Sequence, residues 1–98
     1  MNNINEMLKK AKRIQGELEK EEQLIAKKEF VIEKQGIKIT MLGTRKITKV
    51  EINPALIDPE DPELLQDLVL IAVNEAIDAI EEEYEQINAK YAGGGLPF

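Results

Sequence analysis

Four cationic side chains lie close together near the start of the chain: Lys9, Lys10, Lys12 and Arg13. Ammonium and guanidinium groups bind phosphate oxygens through charge and hydrogen bonds, and such contacts supply much of the affinity of proteins for nucleic acids. The cluster therefore indicates binding to a polyanion such as the DNA backbone. A solvated helix face without a ligand is the alternative, and these residues alone leave both interpretations open.

The sequence offers few other groups that could do chemistry. It contains neither Cys nor His, so the usual zinc ligands and the usual neutral-pH general base are missing. The acidic stretch 58–63 does not have the spacing of a calcium loop, and helix capping explains it more simply. We recognise no phosphate-binding glycine loop and no nucleophile–base pair. We therefore expect a protein that is not an enzyme and that uses no metal and no cofactor.

Charge is distributed unevenly along the chain. Residues 1–50 carry 12 Lys and Arg against 7 Asp and Glu, a balance of +5, whereas residues 51–98 carry 1 against 12, a balance of −11. A folded surface can therefore present one basic region although the net charge is −6. Alternatively, the basic and acidic halves neutralise each other within the fold.

The apolar residues of the first 25 positions recur with the heptad spacing of a coiled coil. They are Ile4, Met7, Ala11, Ile14, Leu18 and Ile25. The pattern predicts a helix with a narrow apolar seam that ends between residues 23 and 27. Of the four cations, Lys10 flanks the seam and the other three point to solvent. Lys9, Lys12 and Arg13 are therefore poorly placed to pair with acids of the second helix and are free to contact phosphates.

Three short β-rich segments follow the first helix, over residues 30–33, 37–42 and 46–52. Tight turns connect them, at Gln35-Gly36 and at residues 43–45. Turns this short predict an antiparallel meander.

Alternation in the third segment predicts that Ile47 faces away from Val50 and Ile52. Seven cations lie on or around this sheet. They are Lys27, Lys28, Lys34, Lys38, Arg45, Lys46 and Lys49. They could add to DNA binding, or they could only discourage edge-to-edge aggregation of the sheet.

Acids and prolines predict that the second helix starts at Pro62, and we expect it to run to about Lys90. Its first part, 64–76, has no sustained polar face and must be covered on more than one side. A small three-stranded sheet cannot cover it, because 29 helical residues span about 43 Å and six-residue strands only about 20 Å. We therefore expect a homodimer whose interface or core contains six residues of this helix: Leu65, Leu68, Val69, Ala72, Val73 and Ala76.

The second helix narrows to a seam after Ile80, and this seam should meet that of the first helix in antiparallel fashion. We expect Ile4 near Tyr91 and Leu18 near Ile80. The chain is thus predicted as one α+β domain over residues 1–92, in the order α-β-β-β-α, with a flexible Gly-rich tail over residues 93–98. No apolar run reaches the ~18 residues of a membrane span, and the polar N-terminus does not resemble a signal peptide, so the cytoplasm is expected.

Four blocks of the sequence resemble the YbaB/EbfC family of bacterial nucleoid-associated DNA-binding proteins. They are the first helix around MLKKAKRIQ, the strand end VEINP, the segment IDPED with LLQDLVLIAVNEA, and the closing GGGLPF. Together they cover practically the whole chain. The turn at Gln35-Gly36 is shorter than is usual in the family, and the first helix contains fewer Met residues.

The resemblance implies a cytoplasmic, nucleoid-associated homodimer shaped like tweezers, with paired helices as its arms. It implies binding to double-stranded DNA with low sequence preference, and no role at a membrane. The acidic second half favours a different class of function, a protein-interaction module that engages a replication or recombination protein. A purely structural dimer is the third alternative.

Overall fold

The computed structural model describes residues 2–95. Two helices, α1 (Asn2–Lys27) and α2 (Pro62–Gly95), flank three strands, β1 (Glu29–Lys34), β2 (Ile37–Leu42) and β3 (Ile47–Ile52). The strands form one antiparallel sheet in the order β1-β2-β3. The predicted α+β class and the α-β-β-β-α order are therefore confirmed.

The second helix is longer than predicted. It continues to Gly95, five residues beyond the expected end at Lys90, so the segment 93–98 predicted as a flexible tail begins inside this helix. Residues 96–98 lie outside the described residues. Neither helix within residues 2–95 has the length and apolarity needed to cross a bilayer.

The connection between β1 and β2 is a two-residue turn, as predicted. Gln35 and Gly36 both have positive φ, 48° and 98°. Two central residues with positive φ match the twist of the flanking strands, and glycine adopts this backbone without steric cost.

The turn between β2 and β3 lies against the end of α1. The backbone N–H of Gly43 donates to the carbonyl oxygen of Lys28 over 3.0 Å. A Cβ atom at Gly43 would overlap the carbonyl oxygen of Ile25, so only glycine permits this approach. Since Lys28 alone separates α1 from β1, this turn and the short joint together fix where α1 meets the sheet.

The predicted orientation of Ile47 is wrong, because β3 contains a β-bulge. Val50 lies opposite Ile39, but the register then shifts, and Ile47 lies opposite Met41. The extra residue, Thr48, turns Ile47 to the same face as Val50, because a bulge interrupts the alternation of the strand. Both side chains are therefore on the face of the sheet that carries α2.

The core lies between this face of the sheet and α2. Its buried residues are Ile25, Phe30, Ile37, Ile39, Met41, Leu68, Ala72, Ala76 and Ile80. They form two clusters, one of which includes the end of α1. The helix packs over β1 and β2, whereas β3 stays largely uncovered, with exposed Ile47 and Val50 on the inner face.

Much of the α2 surface that was expected at a dimer interface or in the core packs against the sheet of the same chain. Leu68, Ala72 and Ala76 are buried within the single chain. The other three predicted residues, Leu65, Val69 and Val73, are half-buried and pack against the same clusters. These six residues therefore serve the chain's own core. Large exposed apolar residues of this helix lie elsewhere, at Leu64, Leu70 and Ile71.

Candidate nucleic-acid interface

The end of α1 packs antiparallel against the second half of α2. The Nζ atom of Lys90 lies 3.3 Å from Oε1 of Glu21, and Nζ of Lys28, just after α1, lies 2.7 Å from Oε1 of Glu83. Ile25, which lies between Glu21 and Lys28 in the sequence, joins the buried cluster of Ile80. The antiparallel arrangement is as predicted.

The predicted register of the two helices is wrong. Glu21, rather than Ile4, lies beside Tyr91, and Ile25, rather than Leu18, shares a cluster with Ile80. The cause is the joint at Lys28, which leaves no slack between α1 and β1. The last turn of α1 is thereby held at the sheet, where α2 still lies on the strands.

The shifted register leaves the first half of α1 without cover. Because Glu21 lies beside Tyr91 and antiparallel helices advance at equal rates, Gly95 lies opposite about residue 17. Residues 2–16, which we call the free half of α1, therefore extend about 22 Å beyond it. Every residue from 3 to 13 is exposed. The chain is accordingly elongated, with extents of 74 × 22 × 13 Å.

All four predicted DNA-binding cations lie on this free half: Lys9, Lys10, Lys12 and Arg13. All four are exposed, and none takes part in an ion pair or cation–π contact among the residues described. Glu6 is the one acid of the segment, so the free half carries a net charge of +3. The structure brings the cations together on one projecting helix with open access for a polyanion.

Several cations near the sheet are instead held by other side chains. Lys34 pairs with Glu75 over 2.9 Å, and Lys49 with Glu51 over 3.6 Å. The ammonium of Lys28, which pairs with α2, also lies 5.0 Å from the centroid of the Phe30 ring. Carboxylates neutralise these three cations.

The outer face of the sheet alternates in charge. Lys38 of β2 lies between two acids in the strand register, Glu33 of β1 and Glu51 of β3. Opposite charges on directly opposed positions stabilise an antiparallel pair. The sheet therefore presents a mixed surface, whereas the free half of α1 carries four cations and one acid.

Most acids of the chain lie too far away to oppose this charge. The acids of residues 51–98 belong to β3, α2 and the segment between them, whereas the free half extends beyond the described end of α2. Charges in water are screened beyond about 8 Å at physiological ionic strength. A negative net charge of the whole chain is therefore compatible with a strongly basic free half of α1.

Glu21 and Tyr91 lie about one helical turn before the cover of α1 by α2 ends. The Tyr91 hydroxyl, and then the ammonium of Lys90, lower the pKa of Glu21. The Glu21 carboxylate in turn raises the pKa of Tyr91. At neutral pH Glu21 is therefore ionised and Tyr91 is protonated. The Tyr91 hydroxyl and the Lys90 ammonium of α2 then bind the Glu21 carboxylate of α1 about one turn from the free half.

Sequence reasoning missed two features of this surface. Leu8 is exposed and flanks the seam of Ile4 and Met7, which widens the apolar stripe of the free half. The heptad pattern contained this signal, since Leu8 occupies an e position. The exposure of Ile47 and Val50 has no signal in the pattern, because it depends on the bulge in β3.

Comparison with known proteins gives consistent matches over nearly the whole chain. A sequence profile described as the YbaB/EbfC DNA-binding family matches residues 1–96. The chain is 71% identical over 94 residues to a nucleoid-associated protein of Metamycoplasma arthritidis (96% of this chain, 99% of that protein). It is 50% identical over 96 residues to a nucleoid-associated protein of Mycoplasmopsis pulmonis (98% and 96%).

The fold has a counterpart among solved structures. An uncharacterized protein of Helicobacter pylori superimposes with a TM-score of 0.68, over 82% of this chain and 86% of that chain. At 17% sequence identity this match concerns the fold alone.

Proposed function

The chain belongs to the YbaB/EbfC DNA-binding family, and from this membership we propose that it binds double-stranded DNA in the nucleoid with low sequence specificity. The binding surface in this proposal is the free half of α1, with Lys9, Lys10, Lys12 and Arg13 on the phosphates. The observation that carries the proposal is the position of these cations. They are exposed, have no described acidic partner and project away from the acidic half of the chain.

Contacts of this kind position a protein on the duplex without reading its sequence. Lys and Arg on phosphates respond to the charge of the backbone, which is the same for every base pair. The cations sit on a continuous helix, and the described part of the chain has no short helix-turn-helix unit to direct a recognition helix into the major groove. Aromatic rings for stacking on unpaired bases are scarce, at 4% of the residues. Affinity for duplex DNA should thus vary little between sequences.

The family match favours DNA binding over the protein-interaction module that the sequence left open. The names of the relatives in two mycoplasmas refer to the nucleoid, which supports a location on the chromosome for this chain as well. Their names also support a protein that acts by binding rather than by catalysis.

A salt titration of duplex binding tests the electrostatic mechanism. Binding to a 30-base-pair duplex should weaken steeply with NaCl, with a slope of log K against log salt of about −0.9 for each phosphate contacted. Two duplexes of unrelated sequence should give affinities that agree within a few-fold. A slope near zero would show that phosphate contacts do not drive binding. A large preference for one duplex would contradict low specificity.

We also propose that the chain forms a homodimer, through the inner face of β3 rather than through the six residues predicted from the sequence. Ile47 and Val50 are exposed on this face beside the buried Met41 and Ile39. An apolar strand face next to a core is stabilised when a second surface covers it. A second copy would supply such cover and would give the protein two basic arms.

A pair of valine variants tests this interface, because the two positions are matched in residue type and exposure. Val50 is 47% exposed on the inner face and Val31 is 49% exposed on the outer face. Val50→Asp should give the mass of one 11.1 kDa chain in sedimentation equilibrium at micromolar concentration, because a buried charge is costly. Val31→Asp should leave a dimer. Unchanged dimer mass in Val50→Asp would reject this interface, and a monomer only in Val31→Asp would move it to the outer face.

A further inference from the structure

The free half of α1 has two unlike faces. Its cations Lys9, Lys12 and Arg13 lie on the side away from the seam. On the seam side, Ile4, Met7 and Leu8 are exposed, Ile4 to 66%. One face can therefore hold phosphates while the other is still available for contact with protein.

The uncovered seam continues the one that already packs within the chain. Leu18 and Ile25, at the same heptad position as Ile4, lie on the stretch of α1 that is covered by α2. The stripe extends into the free half without a change of spacing, but α2 does not follow it there. The apolar side chains of the seam are left in water there, so they gain when a partner covers them.

The position of the charges indicates what kind of partner fits. Only Lys10 flanks the seam within the free half. Lipid headgroups and an acidic helix would both bind through the cations on the opposite face. In the proposed function the phosphates of DNA occupy these cations, so neither partner gains from them. A helix with a similar uncharged seam fits better, and the chain itself contains one.

We propose that the free halves of α1 from two copies pack against each other along Ile4, Met7, Leu8 and Ala11 while their cations hold DNA. This inference rests on the proposed function. Each free half carries a net charge of +3, so two of them repel in free protein. Phosphates neutralise this charge, so DNA binding promotes the pairing, and the pairing strengthens DNA binding by linkage.

Cysteine cross-linking tests the contact directly, because the chain contains no Cys. Met7→Cys places a thiol in the seam, and Asn5→Cys places one two residues away on the opposite side of the helix. With mild oxidant and a 60-base-pair duplex, Met7→Cys should form disulfide-linked pairs at least fivefold faster than Asn5→Cys. Without DNA at low salt the difference should shrink. Equal cross-linking at both positions in the presence of DNA would overturn the proposal.

A second pair of variants measures the linkage to DNA. Ile4→Asp and Asn5→Asp change the charge of the free half equally at adjacent positions, but only Ile4 lies in the seam. On the same duplex Ile4→Asp should bind about tenfold more weakly than Asn5→Asp, the size of effect expected when one apolar side chain loses its burial. Equal affinities would reject the pairing and leave the proposed function intact.

The proposed function fails by a different observation, namely wild-type binding that does not respond to salt. Vesicles with 30% anionic lipid supply the remaining arm of the experiment. Wild-type binding to them that Ile4→Asp abolishes, together with equal cross-linking of the two Cys variants, would assign the seam to a membrane surface instead.

Discussion

Replacing Lys9, Lys12 and Arg13 together by Ala is expected to weaken duplex binding about a hundredfold at 50 mM salt, or more. The salt slope should fall by about one for each phosphate contact that is lost. The reason is geometric, since these side chains are exposed on a helix that extends beyond the described end of α2 and have no acidic partner there. A gel shift or fluorescence anisotropy titration at several salt concentrations measures both quantities.

The chain supplies a matched control for this triple variant. Lys34, Lys38 and Lys49 are also three cations, but Lys34 and Lys49 are paired with a carboxylate and Lys38 lies between two acids of the neighbouring strands. Replacing these three by Ala removes the same formal charge and should change duplex affinity by less than about threefold, since paired charges attract phosphates weakly. Equal losses in both triple variants would mean that net charge, and not the position of the cations on the free half of α1, governs binding. Unaltered affinity after replacement of Lys9, Lys12 and Arg13 would exclude these residues as DNA contacts.

Replacing Ile80 by Ala is expected to lower the free energy of unfolding by about 2–5 kcal/mol, the usual range for a fully buried aliphatic side chain. Ile80 has no exposed surface, and its cluster contains Ile25 of α1 and Phe30 and Met41 of the sheet. A cavity here therefore loosens the contact of α1 with the body as well as that of α2. Urea unfolding followed by circular dichroism measures the change.

Ile4→Ala is the control, because it deletes the same atoms from an exposed position of α1. Its effect should stay within about 0.5 kcal/mol, as is usual for surface substitutions. If the two variants were equally stable, Ile80 would not be part of the core that ties the helices together. If Ile4→Ala were as destabilising as Ile80→Ala, the free half would belong to the folded body.

The elements of this fold could be predicted from the sequence because each has a local signal. The heptad spacing of α1, the turn residues Gln35 and Gly36 and the acidic start of α2 act through neighbouring residues, and all three appear where expected. Asp61 accepts a hydrogen bond from the backbone N–H of Leu64, as a helix cap does.

What the sequence could not supply is how these elements meet. The shifted register of α1 and α2 follows from the single residue between α1 and β1 and from the close approach at Gly43. The orientation of Ile47 follows from the bulge at Thr48. Periodicity shows which face of a helix is apolar but not which surface covers it, so the six residues of α2 could only be predicted at a dimer interface or in the core. The sheet of the same chain covers much of this face.

The single-residue connection at Lys28 limits how α1 can move relative to the sheet. A helix attached through a long linker could change its orientation. Here the free half continues α1 directly, and the sheet, Gly43 and the ion pair of Lys28 with Glu83 hold the end of that helix. Its cations therefore keep a fixed position relative to the sheet, and binding to DNA would cost little ordering of the helix.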